Sequence, residues 1–440
     1  MYKTTADNSN KLPTGIAYIV ANEASERFSY YGMRAILVIF MTQYLLNASG
    51  QLDVMSENEA QGYFHLFVSS VYFMPLLGAL LSDGVLGKYR TIILLSLVYC
   101  VGHFALALDN TRMGLLLGQF LIALGAGGIK PCVSAHLGDQ FGINNRHLMS
   151  KVYSWFYFSI NFGAFSAMLI VPWLLQHQGA AVAFAVPGLL MLASTLIFWS
   201  GRYRFVHVPP AGMQFIKELC SQVGLKRLTK LASIYAFIAM FWALFDQTGS
   251  SWVVQAQKMD RMVFGMELLS SQIQAANPLL IMVLVPFFSY GLYPFLSRFI
   301  KITGLKKMTI GLFLTVLAFA IVSILQMQLD AGYVPSIIWQ LLAYVLLTAA
   351  EVMVSITCLE FSYTQAPNTM KSFVMAFYLL SVAVGNLFTS AVNFVIQNPD
   401  GTSKLAGASY FWFFTGLMLI TAVLFKIVSH YYQEDAVTTA

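Results

Sequence analysis

Stretches of about twenty apolar residues follow one another along this 440-residue chain, and that recurrence constrains the fold more than any other feature. A helix needs about 20 apolar residues to cross the roughly 30 Å hydrocarbon core of a bilayer, where every backbone amide must be satisfied internally. The chain is 58% hydrophobic and 10% charged; a soluble protein would be about 25% charged. The runs predict twelve spans, near 16–46, 60–82, 91–108, 114–134, 151–175, 182–199, 231–252, 277–299, 308–327, 336–360, 371–393 and 409–431. The first is too long and too charged, with the wrong flanks, for a cleaved leader.

Lysines and arginines set the orientation. Of the 25, only Arg112, Lys258, Arg261 and Lys404 fall in loops on one side, and Arg27, Arg34 and Lys130 fall within spans. The rest crowd the other side, which carries both termini and is expected to be cytoplasmic. The net charge of +6 then describes loops facing anionic lipid, and no basic run carries a nucleic-acid recognition pattern. Cys100, Cys132, Cys220 and Cys358 are scattered without a C-x-x-C pair, so neither zinc nor a disulfide framework is expected.

The longest break between spans, about 200–230, holds Pro209, Pro210, Gly212 and the basic stretch MQFIKELCSQVGLKRLTK, which reads as a helix lying on the inner leaflet. It divides the chain into residues 1–199, a cytoplasmic linker over 200–230, and residues 231–440. The expected fold is an all-α membrane protein with twelve transmembrane helices in two six-helix bundles.

Within the spans, charges are few and placed. NEASERFSYYG puts Glu23, Glu26 and Arg27 on one helix face, since Glu23 precedes the others by three and four positions. Arg27 lies about 16 Å along the axis from Ile16, close to the bilayer centre, where a charge costs roughly 2.5–3.5 kcal/mol on the most lenient scale. That face must look into the protein or a wet cavity. Lys130, in LGAGGIKPCVSAHLGDQF, is a second intramembrane cation. Gly125, Gly127 and Gly128 permit a close neighbouring helix, Pro131 loosens the backbone, and Glu23 or Glu26 are the expected partners. His65, Asp246 and Glu351 are further ionisable groups in spans, hence functional candidates. Any one alone reads as a polar contact between helices, His65 most readily, but a set in both halves does not. With Tyr30, Tyr31, Tyr72, Tyr157 and Asn161 as hydrogen-bonding groups, the set suggests a carrier moving a zwitterionic solute with protons.

The wording of these segments resembles the proton-coupled oligopeptide transporters (POT, also PTR) of the major facilitator superfamily, the animal members especially. ExxERFSYYG matches the family's first-helix signature. GAGGIKPCVSAHLGDQF and FYFSINFG match those of helices four and five. FWALFDQTGSSW, NPLLIMVLVPFF and EVMVSITCLEFSYTQAPNTMKS match those of helices seven, eight and ten. The resemblance runs from about Ile16 to Asn386 and implies a proton-coupled symporter that imports di- and tripeptides by alternating access. It implies that Arg27, helped by Lys130, holds the peptide carboxylate and that Glu351 meets its amino group. Tyr31, Tyr72, Tyr157, Asn161, Asn277 and Ser355 are then substrate contacts, and Trp242 lines a side-chain pocket. Glu23, Glu26, His65 and Asp246 carry or relay protons, and Asp83, Lys88 and Arg90 latch a cytoplasmic gate. Protons are the coupling ion and no metal or other cofactor is implied. The expected partners are peptide and lipid, with no nucleic acid, and the expected location is a bacterial inner membrane, as a monomer.

The chain also departs from the family. Its linker is too short for the two extra helices of many bacterial members. The large extracellular domain of animal members is replaced by a turn near Asp330–Val334. Ser289 stands where animal members carry an acid on helix eight, opposite Lys230. Three rival readings stand beside this one, and sequence does not separate the first, a substrate sensor that does not transport, from a carrier. A carrier of nitrate or another anion has no use for Glu351 as an amine-binding acid. A membrane-embedded enzyme lacks support, for no H-E-x-x-H or G-x-S-x-G occurs.

Overall fold

A computed structural model describes residues 2–6, 9–210, 212, 222–299, 302–365 and 371–432. Among the described residues, eleven helices are long and apolar enough to cross a membrane. The remaining long helix, α1 (Ile16–Gln43), has 28 residues, about 42 Å at 1.5 Å per residue. It spans by length, and the charges of Glu23, Glu26, Arg27 and Arg34 set it apart from the other eleven. The molecule is therefore a multi-pass helical membrane protein.

The helices after α1 are α2 (Glu57–Leu81, ending in a π turn over Ser82–Leu86), α3 (Lys88–Leu108), α4 (Arg112–Asp139), α5 (Met149–Gln178) and α6 (Ala180–Ser200). Then come α7 (Gln222–Phe245, a 3-10 turn at Asp246–Gly249, then Ser251–Gln257) and α8 (Ala276–Pro286, a π turn at Phe287–Leu292, then Tyr293–Leu296). The last four are α9 (Gly304–Asp330), α10 (Ile337–Glu351, a π turn at Val352–Ile356, then Thr357–Gln365), α11 (Lys371–Ile396) and α12 (Ala408–Tyr431). Two of the breaks in regular helix fall at Asp246 and directly after Glu351, both candidate site residues.

By internal packing the chain separates into two units: Met1–Met55 with Ser70–Glu218, and Ser56–Ser69 with Leu219–Ala440. The partition read from the linker leaves residues 56–69 in the N-terminal half; their packing groups them with the second unit. The cause is a set of polar fastenings along the first half of α2. Ser390 Oγ donates to the Gly62 carbonyl (2.8 Å), Ser69 Oγ to the Ala383 carbonyl (2.8 Å) and Gln397 Nε2 to Ser56 Oγ (3.1 Å).

In the first unit, α1 packs on α5 and α6, and α3 on α4 and α6. Gly163 of α5 makes the α1 contact possible beside Arg27: a Cβ there would come 2.5 Å from the Ala24 carbonyl oxygen. The glycines before Lys130 serve two neighbours. Gly125 and Gly128 abut Leu95 of α3, and Gly127 abuts Val71 and Met74 of α2. In the second unit, α7 packs on α11, and α9 on both α10 and α12. Helix α7 begins at Gln222, so Lys226, Arg227 and Lys230 belong to its first turns and not to a separate linker. Residues 213–221, where the rest of the inner-leaflet helix was expected, lie outside the described residues. A short hairpin, β1 (Met262–Val263) and β2 (Met266–Glu267), follows α7 where sequence patterning reads only loop. Its turn residues Phe264 and Gly265 both take positive φ, 49° and 81°, the twist a two-residue hairpin turn requires.

Candidate functional site

The first unit gathers the α1 charges as their spacing predicts. Arg27 Nε lies 2.7 Å from Glu23 Oε1 and 2.9 Å from Glu26 Oε2, so one guanidinium nitrogen is shared by two carboxylates. All three residues are buried. The arrangement is a switchable cation: neutralising either carboxylate weakens its hold on Arg27 and leaves guanidinium donors for another anion. Lys130 presents its ammonium to aromatic faces, 3.8 Å from the Tyr72 ring centroid and 4.6 Å from that of Tyr30. Tyr31 packs edge-on against Tyr30. Asn161 is buried and its Nδ2 donates to the Tyr157 carbonyl one turn back, at 2.9 Å, while the Tyr157 side chain is exposed.

Of the three residues read as a latch, Lys88 binds Asp139 at the end of α4, Nζ to Oδ2 2.7 Å. Asp83 lies in the π turn after α2, where Ser82 Oγ donates to its Oδ1 at 3.2 Å, and Arg90 is exposed. Asp139 stands inside the quoted fourth-helix segment, yet nothing local marks it as the partner of a lysine 51 positions earlier.

In the second unit the candidate residues fall into two polar groups among the described residues. In the first, Asn386 Nδ2 donates to Asp246 Oδ2 (2.7 Å) and to the Val382 carbonyl (3.0 Å), while its Oδ1 faces His65 Nδ1 (2.8 Å). His65 Nε2 lies 2.8 Å from Ser250 Oγ. Every member is buried. With its NH2 spent on two oxygens, Asn386 can only accept from His65, which places a proton on Nδ1; in the neutral ring the lone pair is then on Nε2, toward Ser250. Sequence reasoning found His65 and Asp246 but missed Asn386 and Ser250. An amide inside the apolar run SVAVGNLFTS was the available signal.

In the second group, Asn277 Nδ2 donates to Glu351 Oε2 (2.7 Å) and Thr348 Oγ1 (3.2 Å). Glu351 ends the regular part of α10. Ser355, within the following π turn, pairs with the Tyr378 hydroxyl at 3.1 Å. Trp242 packs against Phe241 and Phe245 and is 9% exposed. Among the described residues no group of three His, Cys, Asp or Glu side chains could hold a metal ion.

Comparison with known proteins bears on this arrangement. The model of the POT family matches residues 89–225 and 215–413. The chain is 36% identical over 365 residues to "Peptide transporter family 1" of Drosophila melanogaster, covering 72% of this chain and 48% of that protein. It is similar to the solved POT-family transporter PepTSo, at 37% identity and a TM-score of 0.86, covering 97% of this chain and 99% of that one. A solved "proton dependent oligopeptide (POT) family transporter" shares 38% identity at a TM-score of 0.77, over 93% and 100% of the two chains. The chain spans about half the length of the curated relatives it matches.

Proposed function

The chain belongs to the POT family, and from that premise we propose that it imports di- and tripeptides together with protons by alternating access. The observation that carries this reading is the buried Glu23–Arg27–Glu26 cluster. An arginine held at 2.7 and 2.9 Å by two carboxylates is a carboxylate receptor whose availability depends on protonation. In the first unit, Arg27 and Lys130 take the peptide's terminal carboxylate, and Tyr31, Tyr72, Tyr157 and Asn161 contact its backbone. In the second, Glu351 takes the amino group, with Asn277 and Ser355 beside it and Trp242 toward a side chain. Glu23, Glu26, His65 and Asp246 carry the coupling protons, and the Lys88–Asp139 pair fastens the end taken as cytoplasmic. We place the protein in a bacterial inner membrane as a monomer, and the Lys and Arg asymmetry of its loops supports both termini inside.

Each ligand drives the cycle only through its different affinity for the two states. Protonation loosens Arg27 from its carboxylates, peptide replaces them, and loss of the proton on the low-acid side restores the ion pairs and expels peptide. Glu351 disfavours an anion-only carrier, because a carboxylate paired with an amide donor is suited to an ammonium group. The test is uptake of labelled dialanine into proteoliposomes. Uptake that rises with an acid-outside gradient is expected; uptake indifferent to the gradient, or absent, overturns the reading.

A further inference from the structure

A polar cavity of about 320 Å³ opens in the second unit, away from the residues assigned to peptide. At about 30 Å³ per molecule it has room for on the order of ten waters. Its rim includes Glu57, Lys258 and Ala406, on the side that the charge distribution assigns to the outside. Its deeper wall is made of Gln61, Ser251, Gln255 and Gln326, which are 5%, 3%, 1% and 7% exposed. Ser251 donates to Gln247, Gln255 to Val322 and Gln326, and Gln326 to Asp330, so these three are satisfied within the protein, as buried polar groups must be. Gln61 Oε1 has no protein hydrogen-bond partner among the described residues.

The position of this wall is the informative point. Ser251 adjoins Ser250, whose Oγ is 2.8 Å from His65 Nε2, and Gln61 sits one helical turn before His65 on the same face of α2. The Asn386 carbonyl takes the Nδ1 side of His65, and Nε2 is turned to Ser250, the residue next to the wall. Resting on the transporter reading, we infer that this cavity is the water-filled inlet through which protons from outside reach His65. A hydronium ion at the Ser251–Gln61 wall gives a proton to Ser250 Oγ as the Ser250 hydroxyl proton passes to Nε2, leaving water and an imidazolium. Ser250 then points its remaining proton at the Gln247 carbonyl, 3.5 Å away, and accepts from Nε2–H.

The charged groups around this route are Glu57, Lys258 and Asp330 at the cavity and Asp246 beyond His65. Glu57 and Lys258 are paired at 2.9 Å. Asp330 is held by Gln326 Nε2 (2.9 Å) and by the Ala408 amide at the start of α12 (2.7 Å). The three carboxylates and the lysine thus have assigned partners, and His65 Nε2 meets the Ser250 hydroxyl, one residue from the wall.

The test plugs the mouth. In a Cys220→Ser background, Ala406→Cys is labelled from outside with a bulky neutral methanethiosulfonate, with Thr402→Cys as a labelled control off the cavity. Gradient-driven dialanine uptake is measured beside peptide exchange at equal pH, which needs no net proton entry. The inlet predicts that labelled Ala406→Cys loses driven uptake and keeps exchange, while labelled Thr402→Cys keeps both. Retention of driven uptake, or loss of both activities together, overturns the inlet. Absence of uptake in the unlabelled protein overturns the transporter reading itself. If Ala406→Cys does not fold, Ser403→Cys offers a second position on the same cavity.

Discussion

Asn386 donates to Asp246 across 2.7 Å with both side chains buried. The same amide faces His65, so the state of one titratable group sets the hydrogen-bonding partner of the other. Asn386→Leu removes hydrogen bonds to an ionisable pair, each worth about 1.5–3 kcal/mol when charged. Gradient-driven uptake is expected to fall by about tenfold or more, with its pH dependence displaced, while peptide exchange persists. An unchanged pH profile in that variant would remove Asn386 from the coupling route.

Arg27 is the shared cation of two buried carboxylates, and breaking such a set by removing one partner costs about 3–5 kcal/mol. Arg27→Ala should abolish uptake and lower the Tm of the detergent-solubilised protein. The triple variant Glu23→Gln, Glu26→Gln and Arg27→Gln should recover most of that Tm, since no charge of the set is left stranded, but no uptake. Recovery of uptake as well would show that the guanidinium has no substrate role.

Lys130 rests on the Tyr72 ring at 3.8 Å, a contact worth about 0.5–2 kcal/mol. Tyr72→Phe preserves the ring and Tyr72→Leu does not. Competition uptake with dialanine should show a weaker apparent affinity for the leucine variant, by up to about tenfold relative to phenylalanine. Equal losses would assign the role of Tyr72 to its hydroxyl.

The Lys88–Asp139 pair is about one-fifth exposed on each side, so its coupling should be near 1 kcal/mol. Lys88→Ala and Asp139→Ala should each reduce uptake, and the exchange Lys88→Asp with Asp139→Lys should restore part of it. The same exchange made between Lys88 and Asp83 should restore nothing. Restoration there would return the latch to the residues first read from sequence.

Spans were legible because lipid leaves so few choices. Twenty apolar residues without a break must be helix, and Glu23, Glu26 and Arg27 must share a face once that helix exists. What escaped were relations between distant segments. His65 and Asn386 are 321 positions apart, and the affiliation of residues 56–69 with the second unit goes with a serine of α2 donating to a carbonyl of α11 and a serine of α11 donating to a carbonyl of α2. The early start of α7 at Gln222 escaped for a different reason: its charged first turns look like solvent-facing linker, because hydropathy reports where lipid begins and not where a helix does.

The π turn at Val352–Ile356 accommodates one residue more than a regular turn. Deleting a single residue there would close the coil into a regular turn with little net rotation of the segment beyond it, because five residues of a π turn sweep nearly the angle of four in an α-helix, about 400°. Helix α10 thus carries one residue of slack between two rods, placed immediately after Glu351.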